Sequence, residues 1–287
     1  MPQSRPRRSA LFMPASNARA IDKARTLPCD VVILDLEDAV APEAKDIARR
    51  QAVEAVKSGG FGQREVVIRV NGLDTPWGKD DLAAAGESGV HVILAPKVST
   101  PDDVIAYDAA LHGSTQLWIM IETCRALFHL DAIGCRSGDT RLSAWVVGTN
   151  DLAKEMRCRL DLMRTPLGPA LCLAVAAARA HGLPVLDGVY NEFEDDVGLR
   201  QQCIQGADFG FDGKTLIHPR QIGAANEAFS PDAAEVAWSR EVIAAFDAKH
   251  ASDKGVLRIA GRMVERLHLA QARQVVAVAE AIAAIGG

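Results

Sequence analysis

Short, strongly apolar runs alternate with longer segments of helical period from Ser9 to about Ile217. The runs are SALFMPAS (9–16), VVILDLED (31–38), EVVIRVNG (65–72), VHVILAPKV (90–98), QLWIMIET (116–123), LSAWVVGTND (142–151), PVLDGVYN (184–191) and FGFDGKTLI (209–217). About eight repeated βα units of this kind predict an α/β fold, the parallel (β/α)8 TIM barrel. Several runs are apolar without alternation, as expected where the barrel interior and the covering helices bury both faces of a strand. Between them, PEAKDIARRQAVEAVKS reads as a helix, with Pro42 in its first turn and Ile47, Val53 and Val56 as its buried face. An open doubly wound sheet is the alternative, but no GxGxxG follows the first run, so the barrel is favoured.

Beyond residue 217 the pattern changes. Two Ala-rich amphipathic stretches, roughly 232–250 and 269–285, flank KGVLRIAGRMVERLH, which has strand and turn character. The expected organisation is a barrel domain over 1–230 and a helical extension and lid over 231–287. Those helices, rich in Ala, Val and Ile, fit packing against a neighbouring subunit or against the chain's own barrel.

With 287 residues and 48% hydrophobic content the chain can bury one large core. Its 32 basic and 37 acidic residues give a net charge of −5, so neither nucleic acid nor an anionic membrane is an expected partner. The N-terminal MPQSRPRRSALFMP has too short an apolar run for a secretory signal, and a cytoplasmic protein is expected. Cys29, Cys124, Cys135, Cys158, Cys172 and Cys203 are irregularly spaced with no CxxC, which argues against zinc and against a disulfide framework and for mostly buried, reduced thiols.

A barrel places its chemistry at the C-terminal ends of the strands, so polar residues that close an apolar run are the candidates. Run 2 ends in Asp35, Glu37 and Asp38; run 3 carries Arg69 and Asn71; run 4 ends in Lys97; run 5 ends in Glu122; run 6 ends in Asn150 and Asp151. Acids from several strands with Arg and Lys among them suit a divalent cation and an anionic substrate. Glu122 and Asp151 are the candidate ligands of Mg²⁺, in a site left open for water and substrate oxygens. The competing reading makes these acids helix caps or partners of Arg125 and Lys154. An inward Arg69 needs either substrate or a carboxylate such as Glu37 or Asp38. Gly148, in GTNDLA, allows close approach of a ligand to the backbone and to amides at a helix start. Lys97 fits a substrate carboxylate or a helix-adjacent charge, and His218, before Pro219, fits a structural role at a helix entry.

Taken together, RSALFMPASN, VVILDLEDAVAPEAK, VVIRVNG, LAPKV, IMIET, GTNDLA, GFDGKTLIHPRQI and AFSP resemble the citrate lyase β-subunit-like family of the HpcH/HpaI aldolase group, related to malyl-CoA and citramalyl-CoA lyases. The resemblance implies a barrel of the phosphoenolpyruvate/pyruvate-binding type. It implies that Arg69 contacts substrate and enolate, that Glu122 and Asp151 bind Mg²⁺, and that Glu37 and Asp38 buttress the site. It further implies that Arg8 and Lys23 lie near a coenzyme A entrance, and that the protein is a homotrimer or homohexamer. The partners it implies are a CoA thioester and a small keto acid, and the activity is cleavage of a malyl-CoA- or citramalyl-CoA-type thioester to acetyl-CoA and glyoxylate or pyruvate. The lyase subunit of a carrier-dependent citrate lyase and a non-catalytic acyl-CoA or keto-acid binder are the alternatives. One motif departs from the family pattern, approximately G-K-M-I-D-x-P, in which the Asp comes from a neighbour's lid and acts as acid/base. This chain reads GRMVERL, with Glu265 at the Asp position and Leu267 at the Pro.

Overall fold

The computed structural model describes residues 5–248 and 255–286. These form two compact units, one spanning Arg7–Phe229 and one running from Ser230 towards the C-terminus and taking in Arg5 and Pro6.

In the first unit, β1 (Ser9–Pro14), β2 (Val31–Asp35), β3 (Glu65–Arg69), β4 (Val92–Ala95), β5 (Gln116–Ile121), β6 (Leu142–Val147), β7 (Val185–Asp187) and β8 (Gly213–Leu216) pair in parallel in chain order. β8 returns to β1 and closes the barrel. All eight apolar runs contain a strand, and helices alternate with them. The period of two sorts each strand's residues. One parity fills the interior with Ala10, Val31, Ile33, Val67, Val92, Leu94, Trp118, Met120, Ala144, Val146 and Leu186. The other, with Leu11, Val32, Leu34, Ile68, Ile93, Ile119 and Trp145, packs against the surrounding helices. Inward parity carried to the C-terminal ends selects Asp35 after Ile33, Arg69 after Val67, Glu122 after Met120 and Gly148 after Val146.

At the opposite end the same parity gives Glu65. Arg7 Nε and Nη2 donate to its carboxylate at 2.7 and 3.0 Å, and the Arg7 guanidinium lies 4.7 Å from the centroid of the Trp118 ring. This assembly closes the N-terminal end of the interior, leaving the C-terminal end for ligands.

Two expectations require correction. The helix Lys45–Ser58 buries Ala48, Ala52 and Ala55, while Ile47 is 47% exposed. Small alanines allow close approach to the sheet, and Lys45 reaches inward, its Nζ donating to the carbonyls of Leu36 and Glu37 and to Asn71 Oδ1, each at 2.8 Å. The six cysteines are free as expected, but only Cys29 and Cys203 are buried; Cys135 and Cys172 are exposed.

In the second unit, helix Ala233–Asp247 starts at Asp232, whose side chain accepts from the Glu235 amide. An antiparallel hairpin follows, β9 (Val256–Ile259) and β10 (Arg262–Glu265), and then helix Arg266–Gly286. Ala260 and Gly261, both with positive φ, make the hairpin turn. Val242, Phe246, Val264 and Ala272 form a small core of this unit. Residues 249–250 of the first predicted stretch and Lys254 of the KGVLR segment lie outside the described residues. Among the described residues no helix is long and apolar enough to cross a membrane.

Candidate active site

A cavity of about 280 Å³ opens at the C-terminal ends of the strands. Arg69, Glu122, Asp151 and Gly148 line it, with Phe12, Met120 and Val147 supplying apolar surface.

Arg69, 6% exposed, ends β3 beside Asp35 of β2. Its Nε and Nη2 donate to the two Asp35 carboxylate oxygens at 2.7 and 2.6 Å, the paired geometry that a guanidinium offers. Nη1 lies 2.9 Å from Glu37 Oε2, a charge contact without hydrogen-bond alignment, and donates to Asp38 Oδ2 at 3.3 Å. The guanidinium stacks 4.7 Å from the Phe12 ring centroid. Burial works against the charged form, but Asp35, then Glu37 and Asp38, outweigh it and hold Arg69 firmly cationic. Asp35 is thus the main partner of Arg69, ahead of the expected Glu37 and Asp38, and inward parity with Val31 and Ile33 was the signal for it. Glu37 is nearly buried, whereas the Asp38 side chain is 58% exposed at the cavity's mouth.

Glu122 follows β5 directly and is 1% exposed. Burial, reinforced by the charge of Glu37, pushes its carboxyl up to about 8, because the backbone bond from Lys97 and the charge of Arg69 offset only part of the cost. Its Oε1 accepts from the Lys97 amide at 2.7 Å. Its other oxygen faces Gly148, where an added Cβ would collide with it and would lie 2.5 Å from Glu122 Cβ. Lys97 holds φ 53°, in the left-handed region, and its Nζ donates to Glu37 Oε1 at 2.7 Å. Burial pulls its ammonium down, but the Glu37 bond and charge prevail and hold it up to about 12. Lys97 therefore serves two carboxylates of the centre at once.

Asp151 stands in the first turn of helix Thr149–Met156, which starts straight after β6 and Gly148. Its half-buried carboxylate makes no hydrogen bond or ion pair among the described residues. Asn150 lies beside it, its side chain exchanging hydrogen bonds with Asn191 at 3.1 and 2.9 Å. Asn191 was not singled out, although it is the polar residue that closes the seventh apolar run; it lies in the loop after β7.

The donor set fits Mg²⁺: hard carboxylate oxygens, one fixed by an amide with its partner oxygen free beside a bare Cα, the other without a protein partner. No group of three or more His, Cys, Asp and Glu is gathered for a metal among the described residues. Two protein carboxylates suit an ion that keeps water and takes substrate oxygens.

Arg8 and Lys23 are not brought to this cavity. Arg8 immediately precedes β1, at the closed end of the barrel, and its Nε and Nη2 bond to Asp30 at 2.8 Å each. The expectation that it lines a coenzyme A entrance is corrected: a residue before the first strand belongs to the face opposite the chemistry. Lys23 is exposed near the end of helix Ala18–Ala24 and does not line the cavity. Glu265 ends β10 in the C-terminal unit and is exposed, with its amide donating to His268 Nδ1 at 2.9 Å. His218 caps the turn Pro219–Gln221, accepting from the Arg220 amide, as expected of a structural residue.

A closed (β/α)8 barrel whose strand ends gather a carboxylate pair beside a buried arginine defines the class. The chain belongs to the HpcH/HpaI aldolase/citrate lyase family, whose model matches residues 8–219. It is 47% identical over 284 residues, 99% of this chain and 98% of the relative, to a (3S)-malyl-CoA thioesterase of Cereibacter sphaeroides. It is 34% identical over 316 residues, again 99% and 98%, to the L-malyl-CoA/beta-methylmalyl-CoA lyase of that species. Among solved structures, CitE from Mycobacterium tuberculosis in complex with magnesium, acetoacetate and coenzyme A superimposes with a TM-score of 0.78 at 26% identity, covering 97% of this chain and 99% of that one.

Proposed function

We propose that this protein hydrolyses a malyl-CoA-type thioester to the hydroxy acid and free coenzyme A, with Mg²⁺ held by Glu122 and Asp151. The observation that carries the reading is a cationic Arg69 facing the same cavity as Asp151, which has no protein partner among the described residues, and Glu122, which has one oxygen unbonded and would give up its proton to a cation. The choice of hydrolysis rests on the relatives: those named thioesterases are 47–48% identical over nearly the whole chain, those named lyases 34%. Carbon–carbon cleavage to acetyl-CoA and a keto acid, expected from the motifs, is the second reading. Arg69 favours it equally, since one fixed cation stabilises an enolate as well as a tetrahedral oxyanion.

When bound, Mg²⁺ supplies Lewis-acid polarisation of the substrate oxygens it chelates. Arg69, fixed by Asp35 and Glu37, presents positive charge where the thioester oxygen becomes negative, with no reorganisation at that moment. Phe12, Met120 and Val147 keep water away from that charge and strengthen it. Gly148 and Asn150 bound the space for the acyl group beside Asp151. Hydrolysis consumes one water: its oxygen bonds to the acyl carbon, the C–S bond breaks, and its proton passes to the thiolate. Glu265, from the C-terminal unit of a neighbouring copy in a homotrimer or homohexamer, is the group assigned to move that proton. In the second reading the same carboxyl delivers a proton to the enolate carbon.

The test supplies malyl-CoA and MgCl₂ and follows free thiol and glyoxylate together. Thiol release without glyoxylate is expected. Glyoxylate without thiol transfers the assignment to the lyase, and neither product rejects both readings.

A further inference from the structure

A second cavity, of about 320 Å³, lies behind one wall of the active-site cavity. Thr149, Asn150 and Val189 line both, so they form the partition. Two features hold that partition shut. The amides of Asn150 and Asn191 bond reciprocally across it. Gly188 brings the loop after β7 so close that a Cβ there would lie 2.6 Å from Thr149 Cγ2.

We infer that the second cavity is a latent subsite for the acyl side of the substrate, and that Asn191 is the positioning residue that closes it and sets the size limit of the substituent. The inference rests on the function proposed above. Going round the barrel, Arg69 on β3 faces the thioester oxygen, and Glu122 and Asp151 follow β5 and β6. A carboxylate and hydroxyl chelated on the cation that this pair would hold would direct the substituent on the hydroxyl-bearing carbon towards β6 and β7, the side of the Asn150–Asn191 partition. With the amides joined, that substituent meets a wall at the exposed rim of the partition; with the pair broken, that rim is free to part, while the Gly188–Thr149 contact stays, and the first cavity gains a way into the second.

The chemistry of the second cavity defines what it admits. Asp161, Glu192 and Asp195 line it, and Arg164, which lines it too, is already paired with Asp187, so a second carboxylate is repelled. Gln202, 6% exposed, presents a buried Oε1 that accepts no hydrogen bond, which suits a hydroxyl or amide donor. The ligands it takes are neutral alkyl or hydroxyalkyl extensions of a 2-oxo or 2-hydroxy acid.

The test measures binding of glyoxylate, pyruvate, 2-oxobutanoate, 2-oxopentanoate and 2-oxoglutarate to the full chain in MgCl₂ by calorimetry, for wild type, Asn191→Ala and Asn191→Ser. Wild type should lose affinity steeply as the neutral chain lengthens. In both variants the affinity for 2-oxopentanoate relative to glyoxylate should rise at least about tenfold, the low end of what one methylene is worth in a fitted pocket. The same ratio for 2-oxoglutarate should rise less than threefold. A loss of fold would abolish binding of every acid and yield no ratio, so unchanged ratios in variants that still bind glyoxylate overturn the inference alone. If wild type binds none of these acids in Mg²⁺, the chelating site assigned to Glu122 and Asp151 falls and takes the inference with it, while hydrolysis itself stands or falls by the thiol assay.

Discussion

Replacing Gly148 by alanine adds one methyl group to the site's tightest contact. The backbone there, φ −92° and ψ 84°, is open to any residue, so the effect is one of space rather than of strain. The new Cβ would lie 2.5 Å from Glu122 Cβ and 3.2 Å from its Cδ. Carbon atoms rest at about 3.5–4.0 Å, so Glu122 must move by about 1 Å. Its stem is buried and Oε1 is tied to the Lys97 amide at 2.7 Å, so a rotation of the tip does not suffice. A carboxylate displaced by that much should weaken Mg²⁺ or Mn²⁺ binding by about 10- to 100-fold, the scale seen when the support of a metal ligand is disturbed, and lower turnover at limiting metal by about 100-fold. Titration with Mn²⁺ followed by electron paramagnetic resonance reads the first, and thiol release from malyl-CoA across a Mg²⁺ series reads the second. Metal affinity within twofold of wild type in a folded Gly148→Ala protein would refute the placement of Glu122 as a ligand.

Arg69→Lys keeps one positive charge but gives up the paired bonds to Asp35, so turnover should fall by about 10²–10³-fold and stability by about 2 kcal/mol; a rate within threefold of wild type would remove Arg69 from charge stabilisation. Lys214→Met strips a partner from Asp187, both wholly buried and 2.8 Å apart, leaving Arg164 as its remaining cation, and should cost about 3–5 kcal/mol in urea unfolding. Lys214 and Arg164 hold the Asp187 carboxyl below its ordinary range against the cost of burial, so this stabilisation is full above the ordinary range and is lost as pH falls from there through the lowered value of the folded protein. Acid unfolding of wild type that is indifferent to the Lys214 substitution would contradict that coupling. Glu265→Gln should slow turnover while leaving Mn²⁺ affinity intact, and full activity in that variant would exclude Glu265 from proton transfer.

The barrel was legible because strand interiors obey two constraints at once: most positions are buried, and alternate positions face the same side. The strand ends were not. The run at 90–98 yields a strand only over Val92–Ala95, because Val98 is buried outside the barrel, among the helices, after the chain has left the sheet. Hydrophobicity reports burial and does not say against what. Parity was the stronger reading for the site, since it leads from Ile33 to Asp35, from Val67 to Arg69 and from Met120 to Glu122. Helix 45–58 shows the limit of side-chain size as a guide: where helix and sheet lie close, alanine fills the contact and isoleucine turns outward. Asn191 closes the run at 184–191 and so met the strand-end criterion, but nothing around it in the chain tells that it bonds to Asn150, a neighbour brought there by β6.

Lys97 sets a limit on how far this barrel can be improved. A side chain in the left-handed region costs about 1–3 kcal/mol, and glycine at that position would recover part of it. The amide bond to Glu122 would survive that exchange, but the ammonium on Glu37 would be lost, and with it the tie between a carboxylate that touches the arginine and the carboxylate proposed to hold the cation. Selection for thermal tolerance and selection for turnover thus pull in opposite directions at one residue. A lysine where glycine is more comfortable records which of the two has prevailed.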